Sequence, residues 1–166
     1  NQIIKNSDLI ILASRWTDKS YKNIEKYNNL IKNNNKKLLV FLNRPEFEDN
    51  INNSTLLDIN ILKQLKDNKK IDNKFFYDSS KVYFNKINIE KKLLNEKMKQ
   101  YLINLNIKFY DPINYSCNNI DQTCDVVTID KEKIYFDYGH YTLEGSRHFG
   151  EKNNLKNILN YSINSD

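Results

Sequence analysis

Asp8-Leu9-Ile10-Ile11-Leu12-Ala13 is an apolar run that gives way to Ser14-Arg15-Trp16. With no polar alternation along it, the pattern predicts a strand buried on both faces, as in a parallel sheet. Lys37-Leu38-Leu39-Val40-Phe41-Leu42 repeats the pattern and ends at Asn43-Arg44-Pro45-Glu46-Phe47, where Pro45 blocks continuation. Between the two, residues 18–33 set Tyr21, Ile24, Tyr27 and Ile31 along one helical face, with Asp18 as N-cap and Asn33-Asn34-Asn35 as the stop. Strand, helix and strand of this kind predict a parallel sheet flanked by helices, whose ligands bind beyond the strands' C-terminal ends.

Working outward, residues 54–67 predict a helix capped by Ser54, with Leu57, Ile61 and Leu65 on its apolar face. Residues 68–84 are rich in lysine and aspartate around Phe75-Phe76-Tyr77 and are expected to be a variable surface insertion, with the aromatic knot packing into the core rather than serving a sugar. From 88 to 106 the positions Ile89, Leu93, Leu94, Met98, Tyr101, Leu102 and Leu105 recur at helical spacing. Ile107-Lys108-Phe109-Tyr110 predicts a short strand, broken by Asp111-Pro112. Val126–Ile129 and Lys133–Phe136 predict a hairpin-like pair, and residues 142–149 and 153–163 closing helices.

Length and composition set the limits. At 166 residues the chain suffices for one domain with a real core, and residues 1–166 are expected to form one domain. The net charge of +5 comes from dispersed lysines and three arginines, Arg15, Arg44 and Arg147, and not from an arginine–aromatic stripe, so a nucleic-acid partner is not expected. Heavy use of Asn, Lys and Ile has the look of an AT-rich genome. Three glycines in total exclude phosphate-cradling loops of the dinucleotide or Walker type. No apolar run approaches the roughly twenty residues that span a bilayer. The chain opens at Asn1 without an initiator Met, so either a removed leader or a piece of a larger protein is expected. Cys117 and Cys124 lie in a polar loop, free or joined in a small disulfide loop. The disulfide, favoured here, implies an oxidising compartment.

The chemistry-bearing stretch is Tyr135-Phe136-Asp137-Tyr138-Gly139-His140-Tyr141-Thr142-Leu143-Glu144-Gly145. A tight turn there, helped by the positive-φ tolerance of Gly139, would bring Asp137 to His140. The carboxylate would fix the imidazole tautomer and leave the other ring nitrogen to take a proton from a hydroxyl. That makes two members of a nucleophilic triad; no serine completes it. The same stretch allows a metal site of Asp137, His140, Glu144 and His148, but with His140 expected ahead of the helix the proton-transfer role is favoured, and His148 is expected to be structural.

In order along the chain, Asp8-Leu9-Ile10-Ile11-Leu12-Ala13-Ser14-Arg15-Trp16, Pro45-Glu46-Phe47, Tyr110-Asp111-Pro112, Cys117 with Cys124, and Asp137-Tyr138-Gly139-His140-Tyr141-Thr142-Leu143-Glu144-Gly145 resemble the SGNH-hydrolase-like domain. The similarity is to the version fused behind membrane acyltransferase-3 domains in bacteria. That resemblance implies a three-layer α/β/α sandwich with a parallel sheet, flavodoxin-like, whose N-terminal strand is missing here. It implies an extracytoplasmic domain, the C-terminal part of a larger membrane-associated acyltransferase. The function implied is O-acyl (acetyl) transfer to, or ester hydrolysis on, a cell-surface polysaccharide, with a surface glycan as acceptor and an acyl donor delivered by the fused or associated membrane domain. His140 would be general base and acid, Asp137 its orienter, and the serine of the Gly-Asp-Ser block would lie upstream of this chain. Arg15, Trp16 and Asn43, at strand C-terminal ends, would line the substrate or oxyanion region. The chemistry calls for no metal and no organic cofactor, and the chain alone is expected to be inactive. The alternative is a catalytically inactive glycan-binding or scaffolding domain.

Overall fold

The structure, a computed structural model, describes residues 2–48, 54–152 and 155–164. In chain order its elements are α1 (Gln2–Lys5), β1 (Leu9–Ala13), a 3-10 turn (Tyr21–Asn23), α2 (Ile24–Lys32), β2 (Lys37–Phe41), α3 (Leu56–Lys66), α4 (Asn73–Asn85), α5 (Ile89–Asn104), β3 (Lys108–Tyr110), α6 (Pro112–Ser116), β4 (Cys117–Asn118), β5 (Thr123–Cys124), α7 (Leu143–Lys152) and α8 (Leu155–Asn164). The fold is α/β with a parallel sheet and helices, as the sequence predicts. Two compact units share the chain. One comprises Asn1–Arg44, Glu90–Pro112 and Asn154–Asp166, the other Pro45–Ile89 and Ile113–Asn153.

The first unit holds the parallel sheet, in the order β1-β2-β3. Leu9 pairs with Lys37 and Ala13 with Phe41, while Phe41 in turn pairs with Tyr110. The central β2 is buried through Leu38, Leu39 and Val40. Its core gathers Ile24 and Ile31 of α2 with Leu94, Met98 and Leu102 of α5 against Leu38 and Val40. Tyr21 meets Tyr101 edge-on at 5.4 Å in the same layer. Leu39 points the other way, since strand side chains alternate, and α8 also contacts β2.

One expectation here is corrected. Among the described residues β1 is the outer strand of the sheet, and it is not buried on both faces: Ile11 is 44% exposed, which a run of apolar residues cannot reveal. The helix predicted over 18–33 also starts later, because Thr17 and Ser20 close a turn on each other ahead of it. Tyr27 is exposed, and Asn28 is the buried residue instead.

Asparagine does conformational work that the composition hides. Asn35, Asn68 and Asn106 have φ of 55°, 51° and 52°, each just past a helix end. Beside each, a backbone N–H reaches back over the last turn: Lys36 to Ile31, Lys69 to Gln64 and Ile107 to Leu102. These are left-handed helix stops in which Asn fills the place usually taken by Gly. No described glycine has positive φ, so Gly139 does not use the freedom expected of it.

The second unit surrounds a core of Phe47, Leu57, Phe75, Tyr83, Val126, Ile134, Tyr135 and Phe149. α3 begins at a capping box of Thr55 and Asp58, one residue past the expected Ser54 cap. Residues 68–84, expected as a surface insertion, contain α4, capped by the Asp72 side chain and burying Phe75, Ser79, Ser80 and Tyr83. Lysine and aspartate on its outer face dilute the apolar period that would have announced it. Phe75 is core, as expected of the aromatic knot, whereas Tyr77 is half exposed.

Cys117 and Cys124 form a disulfide across β4 and β5, facing each other in register. Hairpin pairing continues from there: Ile134 N donates to Val126 O, Thr128 N to Glu132 O, Phe136 N to His140 O and Thr142 N to Ile134 O. The disulfide thus closes one end of the ladder that carries the candidate site. Replacing both cysteines by serine should cost about 2–3 kcal/mol through loop-closure entropy. A lower urea midpoint with unchanged slope is the expected readout.

Candidate active site

Asp137 and His140 meet as expected, though through different local chemistry. Asp137 Oδ1 accepts the backbone N–H of Gly139 at 3.0 Å and of His140 at 2.8 Å. The carboxylate therefore builds the turn itself, as aspartate does when its side chain replaces a backbone acceptor. The same carboxylate takes the imidazole: His140 Nδ1 lies 2.9 Å from Oδ1 and 2.7 Å from Oδ2. An ionised carboxylate can only accept, so Nδ1 carries a proton, and in the neutral ring Nε2 is then the nitrogen with the lone pair. Among the described residues Nε2 has no hydrogen-bond partner. Half of the His140 side chain is exposed, leaving it open to an incoming hydroxyl.

Partial burial alone would raise the Asp137 pKa, but the two backbone N–H groups and the imidazole outweigh it and hold the carboxyl below the ordinary carboxylate range. A depressed value means that the turn's contribution to stability is complete above the unfolded pKa of about 3.9 and is lost as pH falls through the lower folded value. A carbon-detected titration of the Asp137 carboxyl should show its midpoint below about 3.9.

The supports of this turn lie on three sides. Tyr138 O accepts from Phe47 N at 2.8 Å, tying the turn to the segment after Pro45. Tyr135 and Tyr141, its flanking cross-strand pair, sit 5.5 Å apart and stack into Phe47, Tyr83 and Phe149. Thr142 Oγ1 donates to Lys133 O at 2.6 Å and accepts from Gly145 N at 3.0 Å, capping α7 directly behind His140.

Gly145 is required by contact rather than by φ. A Cβ there would lie 2.2 Å from Ile134 O, a backbone atom that cannot swing aside. Gly145→Ala should push α7 off the strand behind the dyad and cost about 1–3 kcal/mol, read as a fall in melting temperature with weakened His140–Asp137 contact in NMR spectra. Neither Thr142 nor Gly145 was singled out from the sequence as a support. The signal was there in the glycine, one of only three in the chain.

The other candidates lie in the first unit. Arg15 is exposed just past β1. Trp16 is 5% exposed and belongs to the core, its ring N–H donating to Phe41 O at 2.7 Å. Asn43, just past β2, is 3% exposed and accepts from Trp16 N at 2.8 Å through Oδ1. Its Nδ2 is buried without a partner. Sequence reasoning missed the group that fixes it. Asn95 of α5, 1% exposed, accepts from Asn43 N at 3.0 Å, donates to Asn43 O at 2.8 Å and reaches Asp111 Oδ1 at 3.3 Å. Lys99 closes the network at 2.5 Å from Asp111 and 2.6 Å from Glu96. Burial would lower the Lys99 pKa, yet the two carboxylates carry it above its ordinary value. An asparagine between Leu94 and Met98 on an apolar helix face was the available clue.

His148 stands apart from His140: its Nε2 is 2.9 Å from Asp125, which also takes Lys152 at 2.5 Å. This ties α7 to the segment after Cys124, the structural role expected of it.

Residues 1–152 match the family described as SGNH domain (fused to AT3 domains). The chain belongs to that family. Its fold is similar to a solved structure of the periplasmic domain of a lipopolysaccharide acetyltransferase from Salmonella ser. Paratyphi A, with a TM-score of 0.66 at 18% sequence identity. The alignment covers 95% of this chain and 60% of that one, so this SGNH domain spans less than two thirds of its neighbour's length. No curated protein sequence matches significantly. Among the described residues no helix is long and apolar enough to cross a membrane.

Proposed function

We propose that this SGNH domain performs the proton-transfer part of serine-dependent O-acyl (acetyl) transfer to, or ester hydrolysis on, a cell-surface polysaccharide. The observation that carries this reading is the Asp137–His140 pair, with Nδ1 held by carboxylate and Nε2 unoccupied. His140 Nε2 takes the proton of a serine hydroxyl as the acyl ester forms, then returns a proton to the leaving group; Asp137 orients the ring and stabilises the imidazolium. The serine is supplied by a segment outside this chain. Asn43 Nδ2, a buried donor with nothing to satisfy, is the proposed oxyanion-region group, since such a donor gains most where negative charge develops. Arg15 is the proposed substrate contact at the exposed end of β1, and Trp16 holds the Asn43 amide in place.

The family's fusion to membrane acyltransferase domains supports an acyl donor handed on by such a domain, with this chain as the proposed C-terminal part of a larger membrane-associated acyltransferase. The likeness to a periplasmic domain of a lipopolysaccharide acetyltransferase supports a glycan acceptor and an extracytoplasmic location, and the Cys117–Cys124 disulfide fits an oxidising compartment.

A fluorophosphonate probe, which labels activated serines, tests the reading. A polypeptide extended upstream should label, lose labelling with His140→Ala, and leave the 166-residue chain unlabelled. An extended polypeptide that never labels would favour the inactive glycan-binding or scaffolding role.

A further inference from the structure

We infer that Asn95 is a positioning residue of the reaction: its buried side chain holds the Asn43 main chain so that Asn43 Nδ2 keeps a single aim. The inference rests on the oxyanion-region role given to Asn43 above and names the group that fixes its geometry.

The sheet has run out where Asn43 begins. Phe41 is the last residue of β2 paired with a strand, to Ala13 on one side and Tyr110 on the other. Asn43 is nonetheless 3% exposed, so its N–H and C=O need partners that no strand pair offers. One amide from α5 supplies both. Asn95 Oδ1 accepts from Asn43 N at 3.0 Å, and Asn95 Nδ2 donates to Asn43 O at 2.8 Å. Two bonds to one residue fix its rotation, where a single bond would leave a hinge. Trp16 N then donates to Asn43 Oδ1 at 2.8 Å. With N, O and Oδ1 engaged, Nδ2 is the hydrogen-bonding group of Asn43 left over, and it has no partner among the described residues.

Asn95 is itself held. Asp111 Oδ1 lies 3.3 Å from Asn95 Nδ2 and opposes a flip of the amide, which would set oxygen against carboxylate. Lys99, 2.5 Å from Asp111, balances that buried charge. A cluster needed for stability alone has a simpler solution, because apolar side chains in place of a buried ion pair are often as stable or more so. Leu94, Met98 and Leu102 show that this part of α5 already packs an apolar core. What the polar arrangement adds is a donor of fixed direction. A donor that need not reorganise as negative charge develops is what lowers a barrier of this kind.

A double-mutant cycle tests the inference in a polypeptide extended upstream to supply the serine, with p-nitrophenyl acetate as the acyl probe and an unfolding curve for each variant. Asn43→Ala should lower kcat about 10²-fold, the scale of one oxyanion donor. Asn95→Ala should lower kcat about tenfold or more at unchanged KM, the scale of a misplaced catalytic group. In the Asn43→Ala background it should cost no further kcat, although stability still falls. Should Asn95→Ala fail to fold, Asn95→Ser is read in its place. On the 166-residue protein, the Asn43 side-chain amide signals should shift in ¹⁵N NMR spectra of the Asn95 variant, a readout that needs no serine. Full kcat in a folded Asn95 variant, equal kcat losses in both backgrounds, or unmoved Asn43 signals overturn this inference alone. An extended parent without turnover, or Asn43→Ala at full kcat, overturns the oxyanion reading and this inference with it.

Discussion

Asp137→Asn should reduce acyl transfer by a polypeptide that supplies the serine about 10³–10⁴-fold, while leaving the turn folded. The asymmetry follows from the two jobs of the carboxylate. Asn Oδ1 can still accept the N–H groups of Gly139 and His140, so the Asx turn survives. What it cannot do is accept from the imidazole with both oxygens. Its amide N–H₂ now faces Nδ1, and the favourable response is the other tautomer, with Nδ1 accepting and Nε2 carrying the proton. A protonated Nε2 cannot take a proton from serine, and the imidazolium that forms in the reaction loses its counter-charge. Together these are worth about 4–5 kcal/mol of transition-state stabilisation. The check is kcat for acetyl transfer beside an unfolding curve. Equal losses of kcat and of stability would mean that the carboxylate only holds the turn.

Asn95→Leu should be the most damaging single change in the first unit, at about 3–5 kcal/mol. Leucine keeps the forked outline but is bulkier, so overpacking at this buried site adds to the cost. The larger part is polar: Asn43 N and Asn43 O each lose a buried partner, and Asp111 loses one contact. An unsatisfied buried backbone group costs about 1–3 kcal/mol, and leucine keeps water from replacing the amide. Asn95→Ala should be milder because it leaves room for a bridging water. Urea unfolding of the two variants gives the comparison. An Asn95→Leu protein as stable as the parent would mean that Asn43 is held by Trp16 alone.

Much of this was legible in the sequence because the signals are local. The runs Leu9–Ala13 and Lys37–Phe41 identify themselves by apolar character, and the Asp137-x-x-His140 spacing lets a tight turn bring the two side chains together. α4 was not legible, since its core residues Phe75, Ser79 and Tyr83 include a buried serine, and its charged face breaks the period. The exposure of Ile11 on β1 was not legible either, because composition does not say which face of a strand other elements cover.

The sequence by itself determined the α/β class, the positions of the parallel strands, the carboxylate–imidazole pair and the cysteines able to bridge. Those properties depend on neighbours within a turn or a strand, where spacing and residue type carry the physics. Only the tertiary structure decided that Asn95 fixes Asn43, that Trp16 is core, that Gly145 must lack a side chain against Ile134 O and that Phe136 lies open beside His140. The first two depend on which atoms meet across long sequence separations and the others on how the hairpin folds back, and burial turns such a meeting from a neutral contact into several kcal/mol.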